Sequence, residues 1–162
     1  MCSKAAGKNG HAGRAKPTKH FIDFLVADLS LLAGVEAELS SKLGEIDARG
    51  TTMARQESKF CREETGRASL TLLWSLQSLR SAGDLVAVKL YAQTLVDKFR
   101  DPASGGRRVN LDPGYLDALK VVLVRRKNAN QRIYLTSGIT QKPRCFITTA
   151  HFTDCRIPIE IT

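Results

Sequence analysis

Proline is missing from a long central stretch of this chain. Pro17 and Pro102 bracket 84 residues that contain none. Proline disrupts helix interiors because it lacks a backbone N–H and clashes with the preceding turn. Its absence, together with apolar residues that recur every three or four positions, predicts long helices between the two prolines.

Motifs typical of nucleotide-binding enzymes, secreted proteins and membrane proteins are also missing. Neither GxxxxGK[ST] nor GxGxxG occurs, and no other arrangement of residues indicates catalysis. The largely apolar run at residues 68–79 is too short to cross a bilayer, and the N-terminus shows no apolar core of a signal peptide. We therefore expect a cytoplasmic protein that is not an enzyme, with no cofactor, no membrane association and no small-molecule substrate.

The four cysteines are not spaced as a disulfide framework, which argues against a small secreted domain. Cys145, His151 and Cys155 lie within eleven residues, and their side chains are zinc ligands. Their spacing matches no common zinc finger, and a fourth ligand would have to come from elsewhere, for example Cys61. No metal is expected, although the sequence leaves open whether these three residues bind one.

Positive charge is concentrated at the two ends of the chain, which carries a formal net charge of +9. Residues 1–20 hold five basic residues and no acidic one, and residues 105–162 hold ten basic and four acidic residues. This distribution favours an anionic partner, most often a nucleic acid. The alternative is a basic protein whose charged tails only stay solvated.

The apolar pattern predicts a mainly α fold built on a long antiparallel helical hairpin with a short third helix. The first helix spans about residues 18–48 and the second about residues 51–81. The second half of the second helix is apolar nearly all round, so it must be buried on more than one side. A dimeric four-helix bundle would provide that cover. Asp84 is the predicted N-cap of the third helix.

Composition divides the chain into four parts. Residues 1–17 form a disordered basic arm, 18–101 the helical hairpin core, 102–112 a linker and 113–162 a basic C-terminal extension. The segment that follows Asp112 and Pro113 is predicted to be a short helix, with a strand as the alternative. After Arg132 the pattern is irregular or weakly β.

A row of cations on the second helix is the candidate nucleic-acid site, because evenly spaced cations on a helix suit phosphate contacts. A helix face with internal salt bridges is the alternative. Arg55, Lys59 and Arg62 lie on one face with the small residues Gly66 and Ser69, and Arg67 lies beside them. Further contacts are expected from Arg125, Arg126 and Lys127. The predicted dimer contact or core consists of Leu70, Leu73, Trp74, Leu76 and Leu79.

The segment FCREETGRASLTLLWSLQSLRSAGDLVAVKLYAQ runs from a polar basic stretch through an apolar end to a turn and a short helix. In order and patterning, residues 20–100 resemble the small double-stranded-RNA-binding silencing suppressors of insect nodaviruses. That resemblance implies an antiparallel homodimer whose four-helix bundle lies along an RNA duplex. By position, it also implies phosphate contacts at Arg55, Lys59, Arg62 and Arg67.

The sequence thus predicts a viral protein that binds double-stranded RNA and suppresses RNA silencing in the host cytoplasm. The alternative is a helical protein–protein interaction or assembly module with basic tails, whose binding face would be Leu72, Leu76 and Leu79. A DNA-associated regulator ranks below both, because no recognition helix with base-reading side chains at its start is evident.

Overall fold

The protein is described by a computed structural model that covers residues 16–54, 70–126, 132–148 and 151–153, with the backbone alone from residue 145 onward. In this part of the chain the strands are β1 (Thr18–Val26), β2 (Ile46–Arg49), β3 (Met53–Ala54), β4 (Leu70–Arg80), β5 (Val109–Leu116), β6 (Lys120–Arg125), β7 (Ile133–Thr136), β8 (Ile139–Thr148) and β9 (His151–Thr153). The helices are α1 (Leu32–Leu43) and α2 (Leu85–Lys98), each preceded by a short 3-10 turn.

All nine strands of the described residues belong to one antiparallel sheet. The spatial order is β2-β4-β1-β5-β6-β8-β7, with β3 paired to β4 and β9 paired to β8. The elements β1-α1-β2-β4-α2-β5, with their strands in the order β2-β4-β1-β5, form the split βαβ arrangement of ferredoxin-like folds. Strands β6 to β9 extend that sheet beyond β5.

The predicted mainly α fold is therefore wrong. The predicted first helix contains β1, α1 and β2, and the described part of the predicted second helix consists of β3 and β4. No helical hairpin exists in the described part of the chain, so the predicted four-helix bundle has no basis there.

The first strand shows why helical periodicity misled. Ile22, Phe24 and Val26 alternate along β1 and point to the main core. Phe21, on the opposite face, packs in a separate small cluster. In a strand, successive side chains lie on opposite faces of the sheet. Residues four positions apart, such as Ile22 and Val26, share a face in a strand and in a helix alike, so a short apolar segment fits both patterns.

In β4 the same alternation is clearer. Leu72, Trp74 and Leu76 enter the main core, while Leu73 packs against the cluster on the other face. A segment that looks apolar all round on a helical projection is explained by a strand with apolar contacts on both faces. The surplus of apolar residues thus does not require a second subunit.

The third predicted helix is present as α2, which follows Asp84. Downstream, the structure differs from the predicted linker and short helix. Strand β5 pairs with β1 from Val109 to Leu116, so the boundary expected at residue 112 lies inside a central strand. Of the two alternatives for the segment after Pro113, the strand is the one found, and β7 to β9 follow in the region that was expected to be irregular or weakly β.

The main core lies between the sheet and the two helices. Val35, Leu39 and Leu43 from α1 and Val88, Ala92, Leu95 and Val96 from α2 pack against β1, β4 and β5. Because α1 and α2 both contribute to this core, they cover the same face of the sheet. The opposite face of the central strands carries the Phe21 cluster and the charged residues described below.

His20 is a fully buried histidine at the start of β1. Its ring stacks on Tyr115 at a centroid distance of 6.2 Å, and among the described residues neither ring nitrogen makes a hydrogen bond of normal geometry. Burial, and then the charge of Arg80, lower its pKa from 6.5, while the nearby Asp84 and the Ser81 backbone oppose this shift. The folded protein therefore favours the neutral imidazole.

We expect the folded state to lose stability as the pH falls below about 6.5, because the unfolded chain then binds a proton that folded His20 resists. The loss should approach 1.4 kcal/mol per pH unit until the lowered pKa is reached. Urea unfolding from pH 7.5 to 5 measures it, with His20→Leu as the variant that removes the titration. Equal pH dependence in both proteins would contradict this assignment.

Candidate nucleic-acid interface

A row of polar side chains crosses the sheet on the face away from α1 and α2. The strand register aligns Asp23 with Asp112, Arg125 with Thr140, and Thr140 with Tyr134. These alignments form two groups, one on β1 and β5 and the other on β6, β8 and β7. An ion pair connects the groups, because the Arg125 Nε lies 3.0 Å from an Asp112 carboxylate oxygen. We call these five residues, from β1, β5, β6, β8 and β7, the charged row.

A second row lies one side-chain step away on the same face. It contains Phe21 in register with Gly114, Gly114 with Leu123, and Leu123 with Lys142. Phe21 and Leu123 are buried, whereas Lys142 is half-buried. The face therefore changes from apolar at the central strands to basic toward β8.

Asp112 is the central carboxylate of the charged row and contacts two cations. The buried Lys89 of α2 donates a hydrogen bond of 2.8 Å to Asp112 Oδ1 and another of 2.7 Å to the Leu111 carbonyl oxygen. Arg125 approaches the second oxygen of the same carboxylate. Because Lys89 comes from the helix side and Arg125 lies with Asp23 on the opposite face, Asp112 links the two sides of the sheet.

A local opening in the strand pairing accompanies this arrangement. The registered pairs of β5 and β6 extend from Gly114 to Leu116 and do not include Pro113, the residue after Asp112. Proline has no backbone N–H to donate to a neighbouring strand, so pairing is weakened beside it. The sequence Asp112–Pro113 thus places a carboxylate where α2 can reach it.

Asp23 is the second carboxylate of the row. One of its oxygens lies 3.5 Å from an Arg125 guanidinium nitrogen, and the other lies 3.3 Å from the hydroxyl of Thr71 on β4. The same hydroxyl is 3.0 Å from the Phe24 carbonyl oxygen. Arg125 is therefore held between two acidic side chains on neighbouring strands.

Basic residues dominate the strands that follow. The 36 residues from Ala118 to Thr153 contain seven basic residues and no acidic one. Among them, Arg132 immediately precedes β7. Burial, and then the charge of Arg125, lower the pKa of Arg132, while Asp112 raises it. Arg132 therefore lies close enough to sense both charges, and the basic region adjoins the charged row.

The residues predicted to contact phosphates differ in their environments, and most of them lie outside the described part of the chain. Arg125 is engaged with Asp23 and Asp112, whereas Arg126 at the end of β6 is exposed. The residues of the predicted cation row, together with Lys127, lie outside the described part of the chain: Arg55, Lys59, Arg62, Arg67 and Ser69. The helix on which that row was placed is replaced, where the structure describes it, by β3 and β4.

The residues predicted as dimer contact or core all lie on β4 but in different environments. Trp74 and Leu76 are buried, Leu70 and Leu73 are half-buried, and Leu79 is 61% exposed. The face proposed for binding another protein is not available as a surface, because Leu72 and Leu76 are core residues.

The structure does not test whether the three candidate zinc ligands bind a metal. The side chains of Cys145, His151 and Cys155 lie outside the described part of the chain. In that part, no three histidine, cysteine or acidic side chains are grouped as metal ligands would be. Neither described helix is long and apolar enough to pass through a membrane.

Sequence reasoning missed Lys89, Asp112, Arg132, Lys142 and Tyr134 as members of one site. The sequence does contain one indication of a buried lysine. Leu85, Val88, Ala92 and Leu95 mark the buried face of α2, and Lys89 falls on that face. A lysine on the inner face of a helix requires a buried partner. The partner is remote in sequence, so its identity depended on the sheet register.

The fold and the site together define a small α+β protein with a ferredoxin-like core, an extended antiparallel sheet and a basic sheet face. The chain belongs to the family described as domain of unknown function DUF4416, which it matches over residues 16–156. Comparison with the curated proteins and with the solved structures finds no match.

Proposed function

We propose that the protein binds RNA through the basic sheet face formed by β6, β8 and β7, without catalysing a reaction. The observation that carries this proposal is the segment from Ala118 to Thr153, which has seven basic residues and no acidic one and contains the adjacent strands β6, β8 and β7. Lysine and arginine side chains that neutralise phosphates supply most of the affinity of nucleic-acid-binding proteins.

The charge balance of the site supports the same proposal. On this face, three cations and two carboxylates leave a formal charge of +1: Arg125, Arg132, Lys142, Asp23 and Asp112. The carboxylates hold Arg125 in place, so that the face keeps a fixed arrangement of positive charge. A pre-organised cation loses less entropy when it binds a phosphate.

Duplex specificity, homodimer formation, suppression of RNA silencing and a cytoplasmic location stay predictions from the sequence. The helical platform that would have lain along a duplex is absent from the described residues. Binding of RNA now depends on the basic sheet face instead, so duplex RNA is one of several ligands to compare.

We expect Arg132→Gln and Lys142→Gln to weaken RNA binding. Each phosphate that the protein no longer neutralises should lower the slope of log affinity against log salt by about one unit. Fluorescence anisotropy with labelled single-stranded RNA, duplex RNA and duplex DNA at several salt concentrations measures this. Lys98→Gln is the matched control, because it removes one positive charge from the end of α2, where Lys98 pairs with Glu38.

Thermal unfolding of each variant distinguishes a general loss of folding from a specific effect on RNA binding. If wild-type protein binds neither single-stranded nor duplex RNA at low salt, the proposed function is wrong. If Lys98→Gln lowers the slope as much as Arg132→Gln and Lys142→Gln do, the binding surface lies elsewhere.

A further inference from the structure

Tyr134 is an aromatic residue with an unusual environment in this protein. Its side chain is 65% exposed on β7, whereas Phe21, Phe24, Trp74 and Tyr115 are buried in the described part of the chain. An isolated exposed apolar side chain needs no explanation. Tyr134, however, is a member of the charged row, so its exposed ring lies on the same face as the charged side chains of that row.

The register places cations around the Tyr134 position. Tyr134 aligns with Thr140, which aligns with Arg125 two strands away, at a backbone separation of about 10 Å. Lys142 lies two residues beyond Thr140 on β8, and Arg132 lies two residues before Tyr134. Side chains two residues apart on a strand share a face. Arg132 and Lys142 thus flank the ring position along the chain and on the neighbouring strand, while Arg125 is paired with Asp23 and Asp112.

We infer that Tyr134 is a stacking platform for an unpaired base, so that the ligand of this face is single-stranded RNA. This inference depends on the proposed function. In duplex RNA the faces of the bases are covered by stacking, and the surface offers phosphates, 2′-hydroxyls and base edges, whereas an unpaired base is free to stack on an aromatic ring. The cations around Tyr134 would then contact the phosphates on either side of that base.

We expect a measurable loss of affinity when the Tyr134 ring is removed. Tyr134→Ala should weaken single-stranded RNA binding about tenfold, while Tyr134→Phe, which retains the ring, should bind nearly as well as wild type. Duplex RNA should bind more weakly than single-stranded RNA to the wild-type protein, and Tyr134→Ala should leave duplex binding unchanged. Anisotropy measurements with one labelled RNA strand, alone and annealed to its complement, provide both comparisons.

A second readout reports the stacking itself. In Tyr134→Trp the introduced indole is exposed, and we expect its fluorescence to be quenched on addition of single-stranded RNA. Trp74, which is buried, provides the background signal in the wild-type protein, where no comparable quenching is expected. Thermal unfolding checks that the exposed position tolerates each substitution.

Different results would contradict the stacking role of Tyr134 and RNA binding by the protein. Binding of duplex RNA as tightly as single-stranded RNA, or equal affinities of Tyr134→Ala and wild type for the single strand, would overturn the stacking role and leave the basic face intact. The absence of RNA binding by the wild-type protein would instead overturn the proposed function.

Discussion

Replacing Lys89 by methionine should destabilise the fold by roughly 3–5 kcal/mol, the range typical of a buried ion pair from which one partner is removed. The Lys89 side chain is 3% exposed, and it donates hydrogen bonds to Asp112 and to the Leu111 carbonyl oxygen. Methionine fills a similar volume but donates neither bond. The buried Asp112 carboxylate would then keep Arg125 as its cation and lose the closer partner.

Urea unfolding at pH 7 measures this loss. Lys98→Met on the same helix is the matched control, because the Lys98 side chain is 56% exposed and its ion pair with Glu38 should contribute less than about 1 kcal/mol. Adding Asp112→Asn to Lys89→Met should recover part of the loss, since the double variant no longer buries a carboxylate that lacks one of its two cations. Similar unfolding midpoints for Lys89→Met and Lys98→Met would show that the Lys89–Asp112 pair does not stabilise the fold.

The sequence predicted α2 correctly because its signals are local. Leu85, Val88 and Leu95 repeat with helical spacing and are buried, although the Asp84 side chain makes no hydrogen bond as an N-cap. Strands β1 and β4 carry alternating apolar residues, but each needs a partner that is distant in sequence. Ile22 of β1 pairs with Trp74 on one side and with Pro113 on the other. Such pairings are decided by tertiary contacts, and these override local propensity.

The candidate site depends even more on distant contacts. Its carboxylates, Asp23 and Asp112, are 89 positions apart in the chain yet adjacent in the sheet. Composition did indicate that positive charge lies in the C-terminal third, and Arg125 was among the residues named. What composition could not indicate is that Arg125 is bound to two carboxylates, or that Tyr134 lies in the same row. Both facts follow from strand register, in which a shift of one residue moves every side chain to the other face.

Substituting alanine for Gly114 should cost about 3 kcal/mol, at the upper end of the range for overpacking in a core. A Cβ atom added at this position would lie 2.4 Å from the Cζ of Phe21 and 2.5 Å from the carbonyl oxygen of Val122. Gly114 pairs with Phe21 on β1 and with Leu123 on β6. The absent side chain thus allows the Phe21 ring to lie on the sheet beside the charged row.

Gly83→Ala is the control for this substitution, because a Cβ atom there would meet its nearest neighbour, the Ser81 Oγ, at an ordinary distance of 3.5 Å. Urea unfolding should show a large loss for Gly114→Ala and a change within about 0.5 kcal/mol for Gly83→Ala. Phe21→Leu combined with Gly114→Ala should lose less than the sum of the two single variants, since the shorter side chain removes one of the two clashes. Additive losses would place the conflict at the Val122 backbone instead, and an unaffected Gly114→Ala would show that β5 and β1 are not packed as closely as this register requires.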